Sequence, residues 1–315
     1  MGTICSRFFP ALELAGSAPS IGSLYAPLPS PIHLTLSSVH LTGKIFDLSR
    51  MTHLNHGTLT IPDIIHILSI SPQLISLSCS VSPMWFNHLV DREYAQRPIA
   101  DHPFAHSSLK SLKVAMYVQH LFARITLPAL EILDCCLNEN EYNALFEFLC
   151  RSQCPLKNLS LYLTCPEDRL IELLHLTPNL QNFHFHSNLT PDFFRYFGET
   201  ADLAGDRPLF LPQLQTLRFL VPYIFDGGFP LPTLRVVLSH QDGKGLMRPS
   251  LSKVVIDLMN DQELTEGEQS ELLDLIESGL EIEIYRLIQS NDPTFLSNYP
   301  VIVRALAVLR ARTAK

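Results

Sequence analysis

The sequence of 315 residues contains few charged residues, which make up 17% of it against about 25% in an average globular protein. Apolar residues make up 46%, so the chain can bury a sizeable core and wholesale disorder is excluded. The 31 acidic side chains outnumber the 23 basic ones, which gives a net charge of −8. We therefore expect no broad phosphate-binding surface and no nucleic-acid partner.

Long apolar runs are also missing, so the sequence predicts no membrane-spanning helix. Pro10 and Glu13 interrupt the short apolar stretch at the amino terminus, which excludes a convincing signal peptide. Gly2 and Ser6 match the M-G-x-x-x-S pattern for myristoylation, and Cys5 is placed for a second acyl chain. The pattern is short and permissive, so lipidation of Gly2 is an alternative that we favour less than a chance match.

The seven cysteines are odd in number and lack paired spacing, so they do not predict a disulfide framework. A reduced compartment, cytoplasmic or nuclear, fits them better. Cys150 and Cys154 are separated like zinc ligands, but cysteine often serves as a small buried apolar residue. His184 and His186 have the spacing of a metal pair, yet we interpret them as part of a polar ladder. We expect no metal site.

Sequence motifs of the common enzyme classes are absent. The chain has no G-x-S-x-G elbow, no phosphate-binding G-x-x-x-x-G-K-[ST] loop, no G-x-G-x-x-G turn and no H-E-x-x-H helix. We therefore predict a protein that is not an enzyme, with no catalytic residues and no cofactor.

An internal repeat organises the chain. Its unit is an apolar residue, two further residues, an apolar residue, one residue and a third apolar residue, recurring about every 20–35 residues. The clearest copies are Leu74-Leu77-Cys79, Leu109-Leu112-Val114, Leu130-Leu133-Cys135, Leu156-Leu159-Leu161, Leu180-Phe183-Phe185, Leu214-Leu217-Phe219 and Leu251-Val254-Ile256. Weaker copies are Pro31-Leu34-Leu36, Met51-Leu54-His56 and Leu234-Val237-Ser239.

The last two apolar positions of each copy lie two apart, so on an extended strand they point to one face. A proline precedes most copies and ends any earlier helix. Between copies the apolar spacing becomes helical, as in Ile61-Ile64-Ile65-Leu68 and Tyr142-Leu145-Phe146-Leu149. The predicted fold is α/β: a leucine-rich-repeat-like solenoid, with a curved parallel sheet and helices on its convex side.

We expect residues 1–20 to form an amino-terminal segment or cap, 21–290 the irregular solenoid, and 291–315 a carboxyl-terminal capping helix. Insertions occupy 81–108, with Trp85, and 187–213, with Phe193 and Phe194. Such insertions often carry binding residues, and Trp85 is a candidate anchor. We favour the alternative in which their aromatic side chains pack back on the solenoid.

The residues that alternate with the buried pair are expected to line the concave sheet. Their small hydroxyls, amides and charges of both signs suit the surface of a protein partner. The predicted partner-binding residues are Asn55, Ser78, Lys113, Asp134, Ser160, Tyr162, His184, His186 and Arg218. Leu238 and Val255 continue the same column.

Two copies extend to an asparagine: Leu130-x-x-Leu133-x-Cys135-x-x-Asn138 and Leu180-x-x-Phe183-x-Phe185-x-x-Asn188. With these residues the chain resembles the leucine-rich-repeat family. The resemblance implies that the asparagine bonds the backbone of the turn after each strand. The irregular spacing and proline-led strands, as in "SPQLISLSCSVS", are similar to fungal F-box/leucine-rich-repeat-like proteins over roughly residues 20–290.

That second resemblance implies a substrate receptor of an SCF-type ubiquitin ligase, in which an F-box holds a Skp adaptor and cullin. The repeats begin near Pro31, which leaves too little chain ahead of them for an F-box. We expect a chain that is truncated or has lost this module. The favoured prediction is a non-enzymatic module that binds a protein partner, and the ligase receptor is the alternative.

Overall fold

The computed structural model describes residues 11–15, 33–37, 48–82, 103–163, 165–186, 189, 192–194, 196–197, 210–221, 251–258, 266–277 and 280–286. The predicted insertion anchor Trp85, the repeat at Leu234, the asparagine Asn188 and the closing helix of residues 291–315 lie outside them. The chain divides into two compact units, Met1–Leu156 and Lys157–Lys315.

The first unit contains a parallel sheet of six strands in the order β1-β2-β3-β4-β6-β8, so that neighbouring repeats are neighbouring strands. A separate parallel pair is formed by β5 and β7. The strands are β1 Ala11–Ala15, β2 His33–Ser37, β3 His53–Thr60, β4 Ser76–Ser82, β5 Phe104–Ala105, β6 Ser111–Ala115, β7 Ile125–Thr126 and β8 Ile132–Cys136.

Within the described residues of the first unit, the helices are α1 Ile61–Ile70, α2 Gln119–Phe122 and α3 Tyr142–Ser152, with a 3₁₀ turn at Glu139–Glu141. A capping box starts α1, because the Thr60 hydroxyl accepts from the Asp63 backbone N–H while the Asp63 carboxylate accepts from Thr60 N–H. Asn138 caps the 3₁₀ turn by accepting from Asn140 N–H at 3.1 Å.

The second unit contains five parallel strands that are neighbours in chain order. They are β9 Asn158–Tyr162, β10 Asn182–Phe185, β11 Thr216–Val221, β12 Lys253–Leu258 and β13 Glu281–Arg286. Helices α4 Glu167–His175 and α5 Glu266–Glu277 belong to the same unit. The predicted α/β class with a large parallel sheet is confirmed.

The apolar positions of the repeat form the core. In the copy that begins at Leu109, the three apolar side chains are at most 2% exposed, and the copies at Leu130 and Leu180 are buried equally well. Even the weaker copy Met51-Leu54-His56 is buried, and its third position, His56, is 5% exposed. Burial at about 25 cal/mol per Å² of apolar surface makes these stacked positions the main stabilising contribution.

The two predicted insertions contribute to the core where the structure describes them. Phe193, Phe194 and Phe197 are buried and pack as expected for aromatic residues that fold back. In the other insertion, the buried His106 accepts from Leu109 N–H through Nδ1, so its Nε2 carries a proton and donates to the carbonyl of Ser71. Strand β1 lies within the segment assigned to an amino-terminal cap and pairs with β2.

Candidate functional site

The register places the predicted partner-binding residues side by side within each unit. In the first unit, a row crosses five strands at Thr35, Asn55, Ser78, Lys113 and Asp134. In the second unit, the matching row is Ser160, His184, Arg218, Val255 and Glu283. The predicted register is confirmed for these strands, while Leu238 and Trp85 lie outside the described residues.

The row of the first unit is polar and locally neutral. The Lys113 ammonium lies 3.0 Å from the Asp134 carboxylate, and Asn55 is exposed. The rings of His33 and His53 stack with their centroids 4.1 Å apart. Burial, and then the neighbouring His33, lower the pKa of His53. An exposed ion pair of this kind contributes less than about 1 kcal/mol to stability.

In the second unit, one buried carboxylate organises the sheet face. Asp257 is 2% exposed, and it accepts from Arg218 Nε at 2.7 Å and from Arg218 Nη2 at 2.9 Å. His184 Nε2 lies 3.5 Å from the same carboxylate. Burial alone would raise the pKa of Asp257, but the contacts with His184 and Arg218 outweigh it and hold the pKa below its usual value.

Beside this ion pair lies a set of stacked rings. The ring of Tyr162 is within 14° of parallel to that of His186, and the His184 ring lies 3.5 Å from His186 between centroids. Burial, followed by the nearby charge of His184, lowers the pKa of His186 to about 3. His186 is therefore neutral at physiological pH.

Ser160 lies close to His186, which raises the question of nucleophilic catalysis. The Ser160 hydroxyl is 3.4 Å from His186 Nε2, a long hydrogen bond. A histidine with a pKa of about 3 is a weak general base at neutral pH. The carboxylate Asp257 contacts the other histidine, His184, so these residues lack the usual order of nucleophile, base and orienting acid.

Strand β13 adds a second charged group to the face. Lys253 Nζ lies 2.6 Å from Glu283 and 3.0 Å from Glu281. Tyr285 donates its hydroxyl hydrogen to Glu283 at 2.7 Å. The Arg218 guanidinium carbon lies 5.3 Å from the centroid of the Tyr285 ring, within the range of a cation–π contact. This group and the ion pair are thus joined through Arg218 and Tyr285.

Sequence reasoning did not identify Asp257 and Tyr285, although the alternation continues through them. Val254 and Ile256 are buried in the core, so Val255 and Asp257 point to the opposite face of β12. Val255 itself was expected to line the binding surface, but it is only 5% exposed and cannot offer a contact area. Asp257 lies two residues after Val255, and Tyr285 lies two residues after Glu283, so the same alternation would have found both missed residues.

We use the name second-unit sheet face for Ser160, Tyr162, His184, His186, Arg218, Asp257, Glu283 and Tyr285. Within the described ranges, no three His, Cys, Asp or Glu side chains are arranged to hold a metal ion. Among those same ranges, no helix combines the length and apolarity needed to cross a membrane. No protein-family model and no curated protein matches the chain.

Proposed function

We propose that the chain is a leucine-rich-repeat-like solenoid that acts as a non-enzymatic module and binds a protein partner through the outward side chains of its parallel strands. The observation that carries this proposal is the register, which gathers predicted contact residues into one row in each unit. Tyr162 adds a large aromatic side chain that is 43% exposed. Tyrosine and arginine are the side chains most enriched at protein interfaces.

The charges of this surface favour a polypeptide over a nucleic acid. Lys113 and Lys253 each contact a carboxylate of the same unit, so their charges are largely compensated. Arg218 contacts Asp257 through one edge of its guanidinium group. A nucleic-acid groove needs several cations that are available to neutralise phosphates. Mixed polar contacts with aromatic anchors are typical of the rim and core of protein interfaces.

Site-specific photo-crosslinking tests the proposal. The photoreactive amino acid benzoylphenylalanine replaces Tyr162 on the sheet face or, as the matched control, Glu172 on helix α4, which is also exposed. In cell extract, we expect a discrete cross-linked protein with the probe at position 162 and none at position 172. Equal adducts at both positions, or none at 162, would reject the sheet face as the binding surface.

The ubiquitin-ligase receptor stays a prediction from the family resemblance, and it is separable from the simpler module. Affinity purification of the full chain followed by quantitative mass spectrometry measures whether a Skp adaptor and a cullin are recovered with it. Recovery of both supports the receptor. A partner cross-linked at position 162, with neither the Skp adaptor nor the cullin recovered, supports the module alone.

A further inference from the structure

Arg218 is held in one conformation by contacts on two sides. Its Nε and Nη2 atoms donate to the buried Asp257, and its guanidinium group lies over the ring of Tyr285. An arginine fixed in this way loses little side-chain entropy when it binds a ligand. Its planar group also matches a carboxylate better than a lysine ammonium does. Arg218 is therefore organised in advance for binding.

One edge of this guanidinium group remains available. Nη1 carries two N–H donors, and it has no hydrogen-bond partner within the part of the chain that the structure describes. The Arg218 side chain is 33% exposed, whereas the Asp257 side chain is 2% exposed. The carboxylate therefore lies beneath, and solvent meets the positively charged edge.

On the side that faces β9, the surroundings of the Arg218 Nη1 edge carry little negative charge. Towards β9 they are the rings of His184, His186 and Tyr162, and His186 is neutral at physiological pH. The exposed Glu281 and the half-buried Glu283 lie on β13 and are bridged by Lys253. An approaching anion thus meets hydrogen-bond donors and aromatic rings on the β9 side of Arg218.

We propose that the second-unit sheet face binds an acidic peptide segment, with a ligand carboxylate held by Arg218 Nη1 and the adjoining peptide packed against Tyr162. This inference rests on the proposed function and names the chemistry of the partner. A single guanidinium edge suits one carboxylate, whereas the continuous phosphates of a nucleic acid need several available cations.

Fluorescence anisotropy with defined peptides tests the proposal on the full chain. The probe is a fluorescein-labelled nonapeptide of alternating glutamate and glycine, and the comparison peptides carry glutamine or lysine in place of glutamate. We expect the glutamate peptide to bind at least tenfold more tightly than either comparison peptide, and to bind more weakly as salt is added.

The decisive variant is Arg218→Lys, which keeps a cation for Asp257 but loses the free Nη1 edge. We expect about a tenfold loss of affinity for the glutamate peptide, with a folded far-UV circular dichroism spectrum. The matched control is Arg169→Lys on α4, an exposed arginine of the same unit, which should stay within about twofold of the wild type. Tyr162→Ala should also weaken binding, since it removes the exposed ring.

Four results would overturn the inference: no binding of the glutamate peptide, equal binding of the glutamine peptide, tighter binding of the lysine peptide, or an Arg218→Lys variant that binds normally. The two proposals fail separately. A partner cross-linked at position 162, together with no peptide binding, removes the acidic ligand and keeps the module. Absence of both peptide binding and a cross-linked protein removes the module together with the acidic ligand.

Discussion

Asp257 shows how one residue can define a surface. Its carboxylate is buried, accepts two hydrogen bonds from Arg218 and lies beside His184. A buried carboxylate without partners would cost several kcal/mol, so the arginine and the histidine are required where they are. The same contacts place the guanidinium edge and the histidine rings on the outward side of the sheet.

The lowered pKa values of His186 and Asp257 predict that the folded chain loses stability in acid. The pKa of His186 is lowered to about 3 in the folded chain, against about 6.5 in the unfolded chain. Below pH 6.5 the unfolded state therefore binds a proton that the folded state excludes, and stability falls as the pH falls towards 3. Asp257, whose pKa is also lowered, adds to this loss as the pH falls below about 4.

Urea unfolding of the wild type and of His186→Gln between pH 8 and pH 4 measures this effect. We expect the midpoint of the wild type to be level above pH 7 and to fall from about pH 6.5 downwards. The variant should fall less steeply between pH 6.5 and pH 4.5, because it has lost the titrating imidazole. Identical pH profiles for the two proteins would contradict the assignment.

At the scale of the element, the strand and helix ends follow from local chemistry. Proline-led turns precede strands β8, β10 and β11. In these turns the backbone N–H of Leu130, Leu180 or Leu214 donates to the carbonyl three residues earlier. Helix α1 begins where Thr60 and Asp63 form their capping box. These signals lie within a few residues of each other.

The capping box of α1 gives a prediction at this scale. Thr60→Ala removes the hydroxyl that accepts from Asp63 N–H and leaves the first turn of α1 without that acceptor. We expect a loss of about 1 kcal/mol in the free energy of unfolding, measured with guanidinium chloride. The control is Ser69→Ala in the same helix, where an exposed hydroxyl donates to His66 and its removal should change stability by less than about 0.5 kcal/mol. Equal losses would show that the cap does not stabilise α1.

Most elements could be predicted from the sequence, and the exceptions share a cause. The apolar spacing of Leu264–Ser278 predicts a helix, and the structure has one at Glu266–Glu277. The alternation of Glu281–Tyr285 predicts a strand, and the structure has one at Glu281–Arg286. The pair of β5 and β7 was not predicted, because strands of two residues are too short to show a period. The four-residue helix α2 was not predicted for the same reason.

At the scale of the whole molecule, each unit depends on neighbouring repeats that cover each other's apolar positions. Leu159 is 1% exposed and lies in register with Phe183, whereas the adjacent Ser160 points to the opposite face. The two positions are one residue apart and have opposite environments. They therefore form a matched pair for testing the register of the second unit.

We predict that Leu159→Asp abolishes the cooperative unfolding transition of the second unit, because it places an unpaired charge in a packed core. Ser160→Asp adds the same charge to the outward face and should keep the transition, with a change of about 1 kcal/mol or less. Far-UV circular dichroism and thermal melting measure both. A folded Leu159→Asp variant with an unchanged melting temperature would refute the register.

The register and the core follow from the sequence, because alternation along a strand and spacing along a helix are local and repeat in every copy of the pattern. Which side chains meet on the outward face depends instead on how the strands pair. Arg218 and Asp257 are 39 residues apart, and Tyr285 belongs to a further strand. No local period links them; they meet because parallel pairing brings β11, β12 and β13 side by side, about 4.8 Å from strand to strand.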